Sequence, residues 1–228
     1  MLDKKKILLI LSILMSLLIF TSGDLSATGK KKIILIDPAH GGKDPGVKMS
    51  NDVNEKDITL TVALSIRQLL ARENNLDVFL TRDSDKTVDM EDRQDSIKKI
   101  KPDLILSLHV NGGFGKEASG FELYYPEFGE EVVKEKKAAK DNTAQLKNKC
   151  QNESLRMAKI IQGNMNALFP RKGRGVRKAD LPVTDGLLVP VVSVEMGFAT
   201  NPEDKKKLLS VNTQTEIAKA LAKSIKSF

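Results

Sequence analysis

Short apolar runs alternate with segments of helical periodicity along most of the chain. Each apolar run is four to six residues long and ends at polar or turn-forming residues, as expected for a buried strand. The predicted strands are 33–37, 76–81, 104–108, 120–125 and 191–194, and apolar residues at helical spacing predict helices at 54–74, 89–100, 153–169 and 213–225. This alternation predicts a single α/β domain with a mostly parallel, twisted sheet of about six strands, flanked by helices on both faces.

The N-terminal segment, residues 1–27, has a different pattern. Three lysines at 4–6 precede a run of 14 residues, 7–20, that is apolar except for two serines. Small residues follow before position 28, which is the layout of a secretory signal peptide. The run is short for a spanning helix, which needs about 20 apolar residues, and an uncleaved anchor is the alternative. We therefore expect an exported protein of the periplasm, the cell envelope or the medium, with membrane contact only through this segment and a mature domain at 28–228.

A charged stretch at 127–151 interrupts the alternation. It contains six lysines and five acidic residues without a clear apolar period, which favours a surface insertion in the domain. Cys150, at the end of this stretch, is the only cysteine of the chain. An intrachain disulfide framework and a cysteine-rich metal site are therefore excluded, and we expect this thiol at the surface.

Charge and aromatic content narrow the choice of partners. The formal net charge is +7 at pH 7. A basic protein favours contact with anionic polymers or surfaces, with plain solubility as the alternative explanation. Aromatic residues make up 4% of the chain and tryptophan is absent, so the sequence lacks the stacking side chains typical of nucleic-acid binding. We therefore expect no nucleic-acid partner.

Three polar residues, His40, His109 and Glu195, each follow shortly after a predicted strand. In open α/β sheets ligands bind at the carboxyl ends of the strands, and the loop before Glu55 can bring that residue to the same edge. Two imidazoles and a carboxylate are a ligand set for catalytic Zn²⁺, and a second carboxylate can act as general base. The expected reaction is hydrolysis of an amide or an ester. The alternative is that the histidines are structural and that Glu55 only stabilises a helix N-terminus.

Six motifs, in order, resemble the elements of one enzyme family. Residues 37–46, with the sequence DPAHGGKDPG, resemble the DPGHGGxDPG signature of the zinc-dependent N-acetylmuramoyl-L-alanine amidases, the group called amidase family 3. The other matches are EKD at 55–57, TRDSD at 81–85, SLHVN at 107–111, GFE at 120–122 and VEMGFATN at 194–201. The resemblance covers nearly all of 32–228.

The resemblance implies a role for each matched residue. His40, Glu55 and His109 are expected to bind one Zn²⁺ ion, and Glu195 is expected to be the general base that activates a water molecule. The implied substrate is peptidoglycan, cleaved at the amide between N-acetylmuramic acid and the L-alanine of the stem peptide. Two alternatives remain: a catalytically silent wall-binding or regulatory protein of the same fold, and a metal amidohydrolase that acts on another peptide.

Further residues are candidates for contact with the substrate. Asn111 is one of them, and Arg82, Arg93 and Arg174 are others, because a guanidinium binds carboxylates such as those of a stem peptide bidentately. Local salt bridges are the alternative for the three arginines. Glu122 could orient a ligand imidazole through a hydrogen bond.

Variation within the family raises two further points. Ala39 stands where the family usually has glycine, and alanine would be strained there only if its φ were positive. Some amidases that resemble this chain carry a regulatory helix after the strand that matches 120–125. The stretch 127–151 is therefore either a short lid or a solvated charged loop. A protein activator that displaces such a lid is an expected partner besides peptidoglycan, and we expect a monomer.

Overall fold

The structure is a computed structural model, and it describes residues 30–113, 115–128, 137–169 and 174–228. Within these ranges the folded unit is Lys32–Phe228. The predicted signal peptide at 1–27 lies outside the described residues, as do residues 129–136 of the charged stretch. None of the helices in the described ranges is both long enough and apolar enough to cross a membrane.

Six strands and five α-helices are present in the described part of the chain. The strands are β1 (Lys32–Pro38), β2 (Leu76–Leu80), β3 (Leu104–Asn111), β4 (Glu122–Pro126), β5 (Val176–Ala179) and β6 (Val191–Phe198). The helices are α1 (Glu55–Leu70), α2 (Met90–Ile100), α3 (Lys137–Met165), α4 (Pro202–Leu208) and α5 (Val211–Lys226). A 3-10 turn, Pro182–Thr184, lies between β5 and β6.

The strands form one sheet in the order β2-β1-β3-β6-β4-β5. The first four strands of this order are parallel to one another, β4 pairs antiparallel with β6, and β5 pairs parallel with β4. The prediction of a single α/β domain with a mostly parallel sheet of about six strands is therefore confirmed. The register places His109 of β3 opposite Glu195 of β6, and it places Glu122 of β4 on the other side of Glu195.

Successive side chains of β1 belong to two different hydrophobic clusters. Ile34 and Ile36 join the larger cluster, which also contains buried residues of α1, α3 and α5. Leu35, between them, joins a smaller cluster with Ile105 of β3 and Ile97 of α2. A strand sends successive side chains to opposite faces, so both faces of β1 are buried. This burial explains why the central strands are continuous apolar runs rather than alternating ones.

Several helices and strands differ from the sequence predictions: α1 ends at Leu70 rather than at 74, and β3 and β6 extend to Asn111 and Phe198. β5 has the polar sequence VRKA at an edge of the sheet, and such a sequence carries no apolar signal. α4 was not predicted; Asn201 caps it by accepting hydrogen bonds from two backbone N–H groups. α5 begins at Val211, two residues before the predicted start at 213, and Ser210 is its N-cap. The predicted helix at 89–100 agrees with α2, whose N-cap Asp89 accepts a hydrogen bond from a backbone N–H of the first turn.

The charged stretch is partly helical. α3 begins at Lys137, whereas the apolar period predicts a start near Glu153, because residues 142–149 are largely exposed and mostly polar. The chain leaves β4 beside the first residues of β6, since these two strands are antiparallel. The stretch therefore starts at the end of the sheet away from Glu195. The expectation of a surface thiol is wrong: Cys150 is buried, and burial raises the pKa of its thiol.

Arg82 anchors the backbone that leaves β1. Its side chain is 1% exposed, and its guanidinium donates hydrogen bonds to the carbonyls of Pro38, Ala39 and Lys56. A guanidinium that is bound to backbone carbonyls and shielded from solvent cannot meet a substrate carboxylate. The expectation of substrate contact is therefore wrong for Arg82, which is a structural cation.

Removal of this cation tests its structural role. We expect Arg82→Leu to lower the free energy of unfolding by about 3 kcal/mol or more, because each buried polar group left without a partner costs about 1–3 kcal/mol. Urea unfolding followed by circular dichroism measures the change. The control is Arg67→Leu, on an exposed side chain of α1, with an expected loss within about 0.5 kcal/mol. Equal losses in the two variants would contradict the role of Arg82.

Candidate active site

The chain turns sharply after β1 and thereby presents His40. This residue has a left-handed backbone with φ 62°, and Gly41 and Gly42 continue the turn with positive φ. A non-glycine residue in this region is strained, and Arg93 restrains it by donating from Nη2 to the His40 carbonyl at 2.8 Å. Ala39 does not have a positive φ, so alanine in place of the family's glycine causes no backbone strain there.

The imidazole of His40 lies between two carboxylates. Its Nδ1 is 2.8 Å from Oδ2 of Asp44, and its Nε2 is 3.2 Å from Oε2 of Glu55. The hydrogen bond with Glu55 raises the pKa of His40 to about 9, although burial acts in the opposite direction. The sequence analysis missed Asp44 as a partner, and its position four residues after His40 in the first motif is the only signal that could have indicated it.

Glu55, the first residue of α1, holds its carboxylate among N–H donors. Oε2 accepts a hydrogen bond from the Val47 N–H at 3.0 Å, and Oε1 accepts one from the Val110 N–H at 2.9 Å. Burial alone would raise the pKa of Glu55, but hydrogen bonds with His109, with His40 and with these two N–H groups lower it to about 2. The carboxylate is therefore ionised at neutral pH, as a metal ligand must be.

His109, near the C-terminal end of β3, completes a cluster with His40 and Glu55. Its Nδ1 is 3.5 Å from Oε1 of Glu55, and the two imidazole centroids are 6.0 Å apart. Burial lowers the pKa of His109, but the neighbouring carboxylates of Glu55 and Glu195 raise it above its ordinary value. One donor atom from each of the three residues lies within 4.8 Å of the others. The structure thus brings together the three side chains that the sequence suggests as metal ligands.

Glu195 faces the same space from β6. It is the register partner of His109, and its Oε2 is buried without a hydrogen-bond partner among the described residues. Burial raises the pKa of Glu195 to about 7; His109 opposes this effect, and the charges of Glu55 and Glu122 add to it. A carboxyl group with a pKa near 7 can accept and donate a proton at neutral pH.

A cleft of about 470 Å³ opens over these residues. Its lining includes His40, His109 and Glu195, together with Met90 at the start of α2 and Leu181 in the segment before β6. This volume lies in the range of ligand-binding pockets, roughly 300–1,000 Å³. The cleft therefore leaves room for part of a substrate directly above the imidazole and carboxylate groups.

Glu122 gathers two of the residues that the sequence suggests for substrate contact. Its Oε2 accepts hydrogen bonds from Nδ2 of Asn111 at 3.1 Å and from the Tyr124 hydroxyl at 2.8 Å, and its Oε1 accepts one from Nε of Arg174 at 2.7 Å. The expectation that Glu122 orients a ligand imidazole is therefore wrong. Tyr124, which the sequence analysis did not single out, lines the cleft, and burial together with Glu122 raises its pKa to about 12.

Arg93 has the environment of a structural residue. It is 4% exposed, its Nη1 forms an ion pair with Oδ1 of Asp37, and the same nitrogen donates to the Pro38 carbonyl. Protein oxygens already bind this guanidinium, so its charge and hydrogen bonds hold the loop after β1. Arg93 also lines the cleft, so contact of its guanidinium with a substrate stays a prediction.

Residues 34–227 match the family Amidase_3, described as N-acetylmuramoyl-L-alanine amidase. The chain belongs to this family. The sequence relatives include the N-acetylmuramoyl-L-alanine amidase AmiA of Escherichia coli, 27% identical over 224 residues, which span 88% of this chain and 77% of the relative. The sporulation-specific N-acetylmuramoyl-L-alanine amidase of Bacillus subtilis is 32% identical over 194 residues, which span 84% of this chain and 66% of the relative.

Solved structures of amidases have a similar fold. The amidase AmiC2 of Nostoc punctiforme superposes with a TM-score of 0.71 and 26% identity, over 87% of this chain and 98% of that one. An N-acetylmuramoyl-L-alanine amidase from Clostridium difficile 630 has the same TM-score at 24% identity, over 87% of this chain and 97% of that one. At 24% identity, the likeness to the Clostridium difficile structure shows a shared fold and nothing more.

Gly46 approaches the cluster so closely that no side chain fits. Its φ is +64°, and an added Cβ would lie 2.6 Å from Cδ2 of His40 and 2.8 Å from Cβ of Glu55. We expect Gly46→Ala to displace both side chains and to weaken the binding of a divalent metal ion by this cluster about 10-fold or more, as changes next to metal ligands do. Isothermal titration calorimetry with zinc measures this affinity.

A second glycine provides a matched control for the Gly46 variant. Gly186 has a similar φ of +70°, but nothing lies within 4 Å of an added Cβ. Gly186→Ala is therefore expected to lose stability through backbone strain and to keep its zinc affinity. If both variants bound zinc as the unaltered protein does, the close contact at Gly46 would have no bearing on the cluster.

Proposed function

We propose that this protein is a zinc-dependent peptidoglycan hydrolase that cleaves the amide between N-acetylmuramic acid and the L-alanine of the stem peptide. One observation carries the proposal: His40, Glu55 and His109 converge beside Glu195. The Oε2 atom of Glu195 has no hydrogen-bond partner among the described residues. Amidase relatives in Escherichia coli and Bacillus subtilis, whose names state this activity, support the choice of bond.

The chemistry of the donor set supports zinc as the cofactor. Two imidazole nitrogens and one carboxylate oxygen are typical of catalytic zinc sites, which keep a further position open, whereas Ca²⁺ and Mg²⁺ take mainly oxygen ligands. His40, Glu55 and His109 would hold the ion. When bound, zinc supplies Lewis acidity toward a substrate carbonyl and toward water.

Glu195 carries the proton transfers in this proposal. With a pKa of about 7, it is partly ionised at neutral pH, and Oε2 accepts a proton from the attacking water. The water oxygen bonds to the carbonyl carbon, the carbon–nitrogen bond breaks, and Glu195 returns the proton to the departing alanine nitrogen. Asn111 and Arg174, which Glu122 holds beside the site, are proposed to contact the substrate.

The setting of the enzyme is also part of the proposal. The apolar run at 7–20 after three lysines supports export by a signal peptide at 1–27, and the formal net charge of +7 for the whole chain suits an anionic wall polymer. We infer that helices flank both faces of the sheet, since α2 joins one hydrophobic cluster and α1, α3 and α5 join the other. A protein activator, a lid role for 127–151 and the monomeric state stay predictions.

Neutralising Glu195 tests its role in proton transfer. We expect Glu195→Gln to lower kcat about 10²- to 10⁴-fold, because an amide cannot take the proton from water, and to keep zinc bound. The measurement is the release of peptides with a free N-terminal alanine from purified peptidoglycan. Glu216→Gln, an exposed position on α5, should leave the rate unchanged. Full activity in Glu195→Gln would show that another group is the base.

Metal analysis tests the cofactor. The purified protein should hold about one zinc ion per chain, as three-ligand catalytic sites do, and His109→Ala should lose both the ion and the activity. Chelation should abolish alanine release, and added zinc should restore it. A zinc-loaded protein that releases no alanine would favour the silent wall-binding alternative, and cleavage of soluble peptides alone would favour the other amidohydrolase.

A further inference from the structure

A buried chain of polar groups runs from Arg93 to His109. Asp37, at the end of β1, is 2% exposed, and its Oδ1 accepts hydrogen bonds from the Arg93 guanidinium and from the Thr81 hydroxyl. Its Oδ2 accepts a hydrogen bond from the Ser107 hydroxyl at 3.0 Å. The same hydroxyl oxygen lies 3.1 Å from Nε2 of His109. These contacts link the first family motif, through β3, to an imidazole of the candidate metal cluster.

The proton positions in this series of hydrogen bonds fix the tautomer of His109. Asp37 faces a guanidinium, so its carboxylate accepts hydrogen bonds and donates none. The single proton of the Ser107 hydroxyl is therefore used toward Asp37, and the Ser107 oxygen can only accept from His109. In the neutral ring that binds a metal, Nε2 of His109 must then carry the proton, and the lone pair of Nδ1 is available on the side that faces Glu55.

We propose that Arg93, Asp37 and Ser107 are positioning residues that commit His109 to bind the metal through Nδ1. The inference rests on the zinc site proposed above and names the ligand atom and the groups that select it. The other imidazole has the opposite arrangement: Nδ1 of His40 donates to Asp44, and Nε2 faces Glu55. The two ligand rings therefore use different nitrogens.

The two arrangements also differ in burial. Asp44, the partner of His40, is largely exposed, whereas Asp37 and Ser107 are buried. A hydrogen bond that cannot exchange with water holds its partner more firmly. Arg93 adds a second link, because Nη2 of the guanidinium that binds Asp37 also donates to the backbone carbonyl of His40. One buried cation thus restrains both rings.

Nitrogen-15 NMR of the zinc-loaded full chain tests the ligand atoms directly. The chain has only two histidines, so labelled histidine gives two ring patterns, each showing which nitrogen carries a proton and which binds zinc. We expect His40 to bind through Nε2 and His109 through Nδ1, after assignment of each ring. Ligation of His109 through Nε2 would overturn the inference and leave the zinc site intact. Failure of the unaltered protein to bind zinc would instead refute the proposed site itself.

Substitution of Ser107 tests whether this series of hydrogen bonds positions the His109 ring. Ser107→Ala should raise the zinc Kd about 10- to 100-fold, the usual effect of losing a hydrogen bond to a metal-ligating imidazole. Ser107→Thr keeps the hydroxyl and should restore most of the affinity. Unchanged zinc affinity in Ser107→Ala would contradict a positioning role, whether or not the His109 ring keeps a single tautomer.

Ser224→Ala is the matched control for this experiment. Ser224 of α5 is also a buried serine that donates one hydrogen bond, to the Ala220 carbonyl, and accepts one, from Asn164. Replacing Ser224 removes the same number of side-chain hydrogen bonds as replacing Ser107, on a helix that contributes no residue to the metal cluster. We expect Ser224→Ala to lose stability and to keep the zinc Kd. An equal rise of the Kd in both serine variants would mean that general destabilisation, not positioning, explains the effect.

Discussion

Two buried guanidinium groups hold the backbone at the point where β1 ends, and the geometry of the site depends on them. Arg82 donates to the carbonyls of Pro38 and Ala39, and Arg93 donates to those of Pro38 and His40. Without these cations the carbonyls would be buried without partners, at a cost of about 1–3 kcal/mol each. With them, the chain can turn directly out of the sheet and direct the His40 ring toward Glu55.

Two carboxyl groups beside the same imidazoles have opposite electrostatic environments. Glu55 is held by backbone N–H groups and imidazoles, which keep its pKa at about 2. Burial raises the pKa of Glu195 to about 7, and its Oε2 has no hydrogen-bond partner in the part of the chain that the structure describes. The difference follows from donors, not from depth, because both side chains are buried or nearly so. Pairs of acids with separated pKa values suit separate roles: a permanent anion for a cation, and a group that exchanges protons.

Sequence patterns predict the centre of this sheet better than its periphery. Continuous apolar strands are enough to place His40 and His109 at one edge, because parallel strands end together. β5 and residues 142–149 of α3 are largely exposed, so no apolar period marks them. The partners of Arg93 and Glu122 could not be predicted for another reason: a charged side chain pairs with whatever the tertiary fold brings near, and Asp37 is 56 positions from Arg93.

The Glu55 carboxylate shows why the motifs act as a set. Its two oxygens are held by N–H groups of Val47, in the loop before α1, and of Val110, in β3. Val47 and Val110 are far apart in sequence, so no single motif determines where the Glu55 carboxylate lies. Because both oxygens and both imidazoles already have protein partners, the donor atoms are held close together by the fold itself. Such a site needs little rearrangement to accept a cation, and the ordering cost is met during folding rather than during binding.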